Sequence, residues 1–261
     1  MLEIYREVVR LLQEGIGGAL ATVVETAEST PGKMDFKMVV YPDGKTLGTV
    51  GGGILEVRVI KEAQEVIREG RARLLSFDLN PHGEKPIGML CGGKIKVFVE
   101  PLRSTPRLFI FGAGHVGRAL TRAAHLAGFR VTVIDDRPEM ANQQALPEAA
   151  EVLCRPFVEA ATGLGLGRED YVVIMTYGHG YDRHVLEGIL AQSPLPRYVG
   201  MIASKNKVKE VFHQLETAGV SGDLLARVHS PVGLKIGAQT PEEIAISIAA
   251  ELVAERRGVL A

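Results

Sequence analysis

The chain has 261 residues, which suits one or two globular domains, and 46% hydrophobic with 23% charged residues argues against disorder. Its 30 basic and 31 acidic residues leave a net charge of −1, which excludes a broadly basic protein that binds nucleic acid or a membrane surface. We therefore expect neither nucleic acid nor a membrane as a partner.

The two cysteines, Cys91 and Cys154, are expected to be free thiols in a cytoplasmic protein. The first residues have the pattern of an amphipathic helix rather than of a signal peptide. Apolar runs also fall short of the roughly 18 residues that a membrane span requires.

The first half of the chain is predicted to mix helices and strands. In chain order we predict a helix over 2–14 that ends at Gly17-Gly18, strands over 19–26, 37–41 and 45–50, a helix over 54–69, a strand over 73–79, a polar loop over 80–93 and a strand over 94–99. Together these elements predict a mixed α+β domain over residues 1–102.

The second half has the alternating rhythm of a Rossmann-like, doubly wound parallel sheet over residues 103–261. A linker is predicted over 101–106, because it holds two prolines and polar residues. Beyond it, strands over 108–111, 130–135, 171–176 and 198–203 alternate with helices over 115–127, 182–192 and 204–218. Thr240 and Glu243 predict a capping box for the last helix.

A glycine-rich turn with the G-x-G-x-x-G spacing lies between the first strand and the first helix of this second domain. Glycines at these positions permit a tight turn and the close approach of a pyrophosphate, and an acid about 20 residues further on suits a ribose hydroxyl. The predicted nucleotide-binding residues are Gly112, Gly114, His115, Gly117, Asp135 and Asp136. The alternative is a Rossmann-like fold that keeps these glycines for packing alone.

A second glycine cluster, Gly51-Gly52-Gly53, precedes the helix that carries Glu56. Consecutive glycines at a helix start expose backbone N–H groups, which favours an anion such as phosphate. The cluster lacks the Lys-Ser/Thr ending of a nucleotide-hydrolysing P-loop. A tight turn with no ligand is the alternative.

Cys91 lies between glycines in the segment Gly88-Met-Leu-Cys-Gly92-Gly93. Neighbouring N–H groups can stabilise a thiolate, which could bind a soft metal or act in sulfur transfer. The alternative is a small buried side chain. Cys154 is expected to be a packing residue at the end of a strand.

His179 and Asp182 follow a predicted strand of the second domain, where doubly wound folds place ligand-binding loops. A catalytic or metal role is one interpretation. The other, which we favour, is a loop histidine bonded to Asp182 as the N-cap of the next helix.

These segments in this order resemble the XdhC/CoxI family, the xanthine dehydrogenase accessory proteins. The resemblance covers nearly the whole chain. It is carried by the segments Gly48–Glu56, Gly88–Gly93, Phe109–Gly117, Val133–Arg137, Tyr198–Ser204 and Pro231–Ile244.

The resemblance implies a dimeric, two-domain chaperone of the molybdenum cofactor (molybdopterin). Such a chaperone binds the cofactor, supports its sulfuration with a cysteine desulfurase and helps to insert it into a molybdenum hydroxylase of the xanthine dehydrogenase type. By this resemblance Gly51, Gly52, Gly53, Glu56, Cys91, Gly92 and Gly93 would hold molybdopterin, with Cys91 on molybdenum.

One departure from the family pattern concerns the turn after the first strand, where Gly32 stands at the position of an expected arginine and Lys33 or Lys37 would have to substitute for it. Two rival interpretations remain open. The chain could be an oxidoreductase that uses NAD or another nucleotide, or an interaction scaffold without a ligand.

Overall fold

The computed structural model describes residues 1–27, 30, 32–79, 93–103 and 105–260, without the side chain of His179. The chain forms two compact units, Met1–Thr105 and Pro106–Ala261, and each unit is built on one β-sheet. The predicted fold class, a mixed α+β part followed by a Rossmann-like parallel sheet, is confirmed.

Over the residues that the structure describes, the first unit is a five-stranded antiparallel sheet with two helices. Its elements in chain order are α1 (Leu2–Glu14), β1 (Gly18–Ala27), β2 (Lys37–Val40), β3 (Thr46–Gly48), α2 (Gly53–Glu69), β4 (Arg73–Asp78) and β5 (Lys94–Leu102). The strand order is β3-β2-β1-β5-β4, so the long strand β1 lies at the centre.

The two helices of the first unit belong to two separate clusters of buried side chains. Leu55, Val59, Ala63 and Val66 share one face of α2 and are fully buried with alternate residues of β1, β2 and β5. Ile4 and Leu11 of α1 are buried with Val39, Leu20 and Leu102, which come from the intervening positions of the strands. Because successive side chains of a strand point to opposite faces, the sheet carries a core on each side.

Helix α1 spans the predicted residues, but Gly15, with a left-handed φ of 75°, ends it rather than the predicted Gly17-Gly18. Strand β5 continues beyond its predicted end through Pro101 and Leu102, which lie in the predicted linker. Strand β4 pairs with β5 only as far as Val99, so Pro101 lies where a missing N–H costs no hydrogen bond to that neighbour.

The second unit contains a six-stranded parallel sheet. Its elements are β6 (Arg107–Phe111), α3 (His115–Leu126), β7 (Arg130–Asp135), β8 (Glu151–Cys154), α4 (Phe157–Gly163), β9 (Tyr171–Ile174), α5 (His179–Leu190), β10 (Tyr198–Met201), α6 (Lys205–Thr217), α7 (Gly222–Leu225), β11 (Val228–His229) and α8 (Pro241–Arg257). The order β11-β10-β9-β6-β7-β8 is the order 3-2-1-4-5-6 of a dinucleotide-binding Rossmann sheet, read from the other edge.

Helices cover both faces of this sheet, which makes it doubly wound. Side chains of α3 and α8 are buried with one set of strand residues, including Leu108 and Ile110. Those of α4, α5 and α6 are buried with the alternate set, including Phe109 and Phe111. The predicted capping box is present, since the Thr240 side chain accepts from the Glu243 N–H and the Glu243 side chain from the Thr240 N–H. Within the described residues, no helix combines the length and apolar character needed to cross a membrane.

Candidate functional site

The glycine cluster Gly51–Gly53 forms the turn into α2, as the sequence predicts. Gly51, Gly52 and Gly53 all have positive φ, and Gly52 combines φ 80° with ψ 178°, a conformation that is nearly restricted to glycine. Gly53 is the first residue of α2, so the N–H groups of its first turn have no partner within the helix. The backbone is therefore shaped for an anion at this helix end.

The chain itself supplies an anion at this turn. Oε1 of Glu56 accepts the N–H groups of Val50 (3.1 Å) and Gly52 (3.0 Å) and the hydroxyl of Thr49. Burial raises the pKa of Glu56, but these hydrogen bonds outweigh it and hold that pKa below its usual value. The structure thus places Glu56 with Gly51–Gly53, and its carboxylate takes the Gly52 amide, which the sequence assigns to a phosphate, together with that of Val50.

The turn after β1 packs directly on this glycine cluster. A Cβ atom at Gly32 would lie 2.3 Å from the carbonyl oxygen of Val50 and 2.8 Å from Cδ1 of Ile95. The position therefore has no room for any side chain, and this explains why Gly32 stands where the family pattern suggested an arginine. Lys37, one of the two possible substitutes, donates from Nζ to the hydroxyl of Thr22 at 3.2 Å.

The cysteine predicted to contact the cofactor lies outside the described residues, as does Gly92. The flanks of that segment are described: the Leu79 N–H donates to the carbonyl of Gly93 at 2.8 Å. Cys154 ends β8, but it is exposed, so its predicted packing role is wrong. The strand β8 ends at the surface, and the Cys154 thiol lies 4.0 Å from the Asp136 carbonyl oxygen.

The glycines of the second unit have different environments. Gly112 has φ 121°, and a Cβ there would lie 2.3 Å from the Met175 carbonyl oxygen. A Cβ on Gly117 would lie 2.0 Å from the carbonyl oxygen of Gly112. Gly114 has open space around it, and His115 begins α3 with an exposed side chain. Packing therefore requires the first and third glycines of the motif, while the approach to the second is open.

Asp135, the predicted ribose acid, is fully buried and holds the glycine loop. Its Oδ2 accepts the Ala113 N–H at 2.8 Å, and the Arg137 guanidinium donates to both carboxylate oxygens at 2.8 and 2.9 Å. Burial raises the pKa of Asp135, but the hydrogen bonds from Arg137 and Ala113 lower it by more than burial raises it. The net shift of this pKa is therefore downward. A ribose hydroxyl would have to replace one of these donors.

Asp136, the second predicted acid, contacts a tyrosine from the loop after β9. The hydroxyl of Tyr177 donates to Oδ2 of Asp136 at 2.9 Å, which raises the pKa of Tyr177. The Arg137 guanidinium carbon lies 4.3 Å from the centre of the Tyr177 ring, a cation–π contact. The loops after β7 and β9 are joined in this way at the carboxyl edge of the sheet.

The prediction for Asp182 needs a correction. Gly178 is the N-cap of α5, and Asp182 lies in the first turn with its carboxylate fully buried. It accepts the N–H (3.0 Å) and hydroxyl (2.6 Å) of Thr176 and pairs with Lys207. The backbone of His179 begins α5, while its side chain is outside the described part.

Three residues of these sites were missed at the level of sequence: Thr49, Arg137 and Tyr177. Arg137 follows two adjacent acids at a strand end, and that charge pattern could have suggested an ion pair. Tyr177 offered no comparable signal, because its contacts depend on which strands lie side by side.

Fold and site together define a two-unit α/β protein with one glycine turn at a helix start in each unit. Residues 108–252 match the profile of the XdhC Rossmann domain and residues 11–78 that of the XdhC and CoxI family. The first match covers more than half of the chain. The chain therefore belongs to the XdhC and CoxI family.

Two curated relatives are similar in sequence to most of this chain. YqeB of Escherichia coli K12, described as uncharacterised, is 36% identical over 97% of this chain and 46% of its own length. A protein of Bacillus subtilis 168, described as a probable subunit of xanthine dehydrogenase, is 29% identical over 62% of this chain and 47% of that protein. The chain thus spans about half the length of these two relatives.

A third relative is matched over most of its own length. The molybdenum cofactor insertion chaperone PaoD of E. coli K12 is 24% identical over 97% of this chain and 88% of that protein. A crystal structure from Bacillus halodurans, described as a xanthine dehydrogenase, has a TM-score of 0.54 at 23% identity and covers 97% of this chain and 95% of that one. That likeness shows the common fold.

Proposed function

We propose that this chain is a maturation factor that binds the molybdenum cofactor and delivers it to a molybdenum hydroxylase of the xanthine dehydrogenase type. The observation that carries this proposal is its similarity to PaoD, a cofactor insertion chaperone, along 97% of the chain. The proposal includes sulfuration of the cofactor with a cysteine desulfurase and a cytoplasmic homodimer.

The cofactor is cargo here, and its phosphate is the part that the first unit fits best. The amides of Val50 and Gly52 already hold a carboxylate oxygen at 3.1 and 3.0 Å, which are ordinary hydrogen-bond lengths to an oxyanion. We place the phosphate at this start of α2, on Gly51–Gly53 and in competition with Glu56. Cys91, with Gly92 and Gly93, would contact molybdenum or relay sulfur.

The first experiment measures molybdenum and pterin that the protein retains after anaerobic incubation with the cofactor and desalting. We expect close to one of each per wild-type chain and less on Cys91→Ala. Ile54→Asp adds a negative charge in the first turn of α2 and should also lower retention, because it repels phosphate. Val9→Asp on α1 is the matched control, since Ile54 is 45% and Val9 50% exposed.

Retention by the wild type that both Ile54→Asp and Cys91→Ala leave unchanged would contradict the placement of the site. A folded wild-type chain that retains neither molybdenum nor pterin would overturn the proposal itself. Delivery is then tested by mixing the loaded chain with cofactor-free hydroxylase, and sulfuration by transfer of labelled sulfur from a cysteine desulfurase. Sedimentation measures the homodimer.

We also propose that the second unit binds a nucleotide or a nucleotide-bearing form of the cofactor. The Rossmann strand order and the open approach to Gly114 support this. Pyrophosphate would bind at the start of α3, near Gly114 and His115. The rival function, an NAD-dependent oxidoreductase, requires that bound NADH be oxidised by a small substrate, and titration with NADH followed by absorbance measures both steps.

A further inference from the structure

Tyr177 lies across the end of β6, the strand that leads into the glycine loop Gly112–Gly117. The sheet order places β6 between β9 and β7, and the strands are parallel. Tyr177 follows β9, whereas Asp136 and Arg137 follow β7. Their contacts at 2.9 and 4.3 Å therefore pass over the carboxyl end of β6, where the strand order reverses and Rossmann folds bind their ligands.

The groups that hold Tyr177 are those that would hold an amino-substituted heteroaromatic ring. The Arg137 guanidinium offers a flat cation on which such a ring stacks, and Asp136 offers a carboxylate that accepts from an exocyclic amine. Tyr177 uses both: its ring stacks on the guanidinium and its hydroxyl donates to Oδ2.

Asp136 also has an acceptor that the protein leaves unused. Its Oδ1 is buried and, within the described part of the chain, has no hydrogen-bond partner. A buried acceptor without a donor is unfavourable, and native structures hold few of them. An exocyclic amine carries two N–H groups, one donor more than the hydroxyl of Tyr177 offers to this carboxylate.

Tyr177 is an exposed loop residue whose ring centre also lies 5.9 Å from that of Phe157 and 5.4 Å from that of Tyr181. Its side chain is 53% exposed, and it lies in the connection between β9 and α5 rather than within either element. Arg137 does not depend on Tyr177 for its orientation, because its guanidinium is held on Asp135 by two hydrogen bonds. The stacking surface would persist after Tyr177 moves.

We propose that Tyr177 occupies the base subsite of the second unit and that an amino-substituted heteroaromatic ring replaces it there. The ring stacks on Arg137 and donates its amine to Asp136. Two sources share this chemistry: the purine base of a nucleotide and the pterin of the cofactor. The inference rests on the proposed binding of a nucleotide or nucleotide-bearing cofactor by this unit.

The test measures ligand affinities of the whole 261-residue chain by calorimetry. The probes are ADP and a reduced pterin. UDP is the control ligand, because its base lacks an exocyclic amine. Tyr177→Ala removes the competing ring, so the affinity for ADP, for the pterin or for both should rise about tenfold. Tyr177→Phe keeps the ring and loses the hydroxyl, and should give a smaller rise. Tyr5→Ala, with similar exposure (48% for Tyr5), should change nothing.

The outcomes separate the two proposals. Binding of ADP or pterin by the wild type that Tyr177→Ala weakens or leaves unchanged overturns the role of Tyr177 and leaves the binding proposal standing. A rise for UDP equal to that for ADP overturns the role of the amine. No binding of any probe by wild type or by folded Tyr177→Ala overturns both proposals. A rise confined to one of ADP and pterin identifies the source of the ring.

Discussion

Replacing Asp135 with asparagine tests the buried contact that holds the glycine loop Gly112–Gly117 on the end of β7. The carboxylate accepts one N–H from Ala113 and three from Arg137, its backbone N–H included. Asparagine has nearly the same shape but a single acceptor oxygen. Each carboxylate oxygen accepts two of these bonds, so the NH₂ group would face two N–H donors. Two bonds are then lost and a buried donor is left without a partner.

The size of the effect follows from these contacts. A hydrogen bond to a charged group contributes about 1.5–3 kcal/mol, and an unsatisfied buried donor costs about 1–3 kcal/mol. The Arg137 side chain is 32% exposed and can turn partly toward water, so the loss stays below the roughly 3–5 kcal/mol of a fully buried broken pair. We expect about 2–3 kcal/mol, which for a unit of this size lowers Tm by about 5–10 °C.

Circular dichroism during thermal and urea unfolding of the full chain at pH 7 measures this change. Asp223→Asn is the matched control, because Asp223 is exposed in α7, and it should stay within about 0.5 kcal/mol of the wild type. If Asp135→Asn unfolded within that same margin, the carboxylate would not be holding the loop and the reasoning would be refuted.

The effect also depends on pH in a fixed direction. Because the pKa of Asp135 is lowered in the folded chain, its stabilisation is fully present above the unfolded pKa of about 3.9 and is lost as the pH falls through the lower folded value. The difference between wild type and Asp135→Asn should therefore shrink below about pH 4. A difference that grows on acidification would contradict this assignment.

Substitutions at four further positions test packing and capping. Gly117→Ala should destabilise the second unit by about 1–3 kcal/mol or prevent its folding, because its Cβ meets backbone at 2.0 Å, whereas Gly114→Ala, with open space, should be nearly neutral; equal effects on unfolding would contradict the steric assignment. Gly32→Ala should destabilise the first unit by a similar amount, since its Cβ meets a carbonyl oxygen at 2.3 Å, and a chain with unchanged urea midpoint would show that the two turns do not pack together. Thr240→Ala should cost about 1 kcal/mol through loss of the capping box, and Thr240→Ser should restore most of it; a serine variant as unstable as the alanine one would rule out the cap.

Local signals in the sequence were sufficient for much of the fold. The buried stripe of α2 follows from its helical period, and the capping box at Thr240 from three residues of spacing. The glycine turns were also placed correctly, because each lies between a predicted strand and a predicted helix and glycine tolerates the positive φ that these turns use. Short elements such as β11 and α7 were not predicted, because four or fewer residues carry too little periodicity; of β8, the end at Cys154 was predicted.

The contacts at the two sites could not be predicted in the same way. Asp135 meets Ala113 across 22 positions, and they meet only because β6 and β7 pair in parallel. Glu56 lies only four residues after Gly52. Its carboxylate nevertheless accepts from the Gly52 amide only because the backbone of Gly52 adopts φ 80°. The sequence pattern singled out Asp135 and Glu56, while the partner of each carboxylate is a property of the folded backbone.

For the cofactor carrier proposed above, the Glu56 carboxylate has a consequence for release of the bound cofactor. An anion that takes the amides of Val50 and Gly52 exchanges with Glu56, so the number of hydrogen bonds to those amides is the same before and after binding. The empty form then leaves neither of these two amides unsatisfied, and departure of the anion does not incur that penalty. Such exchange keeps binding reversible even where the local contacts are strong, which is the property that transfer to a second protein requires.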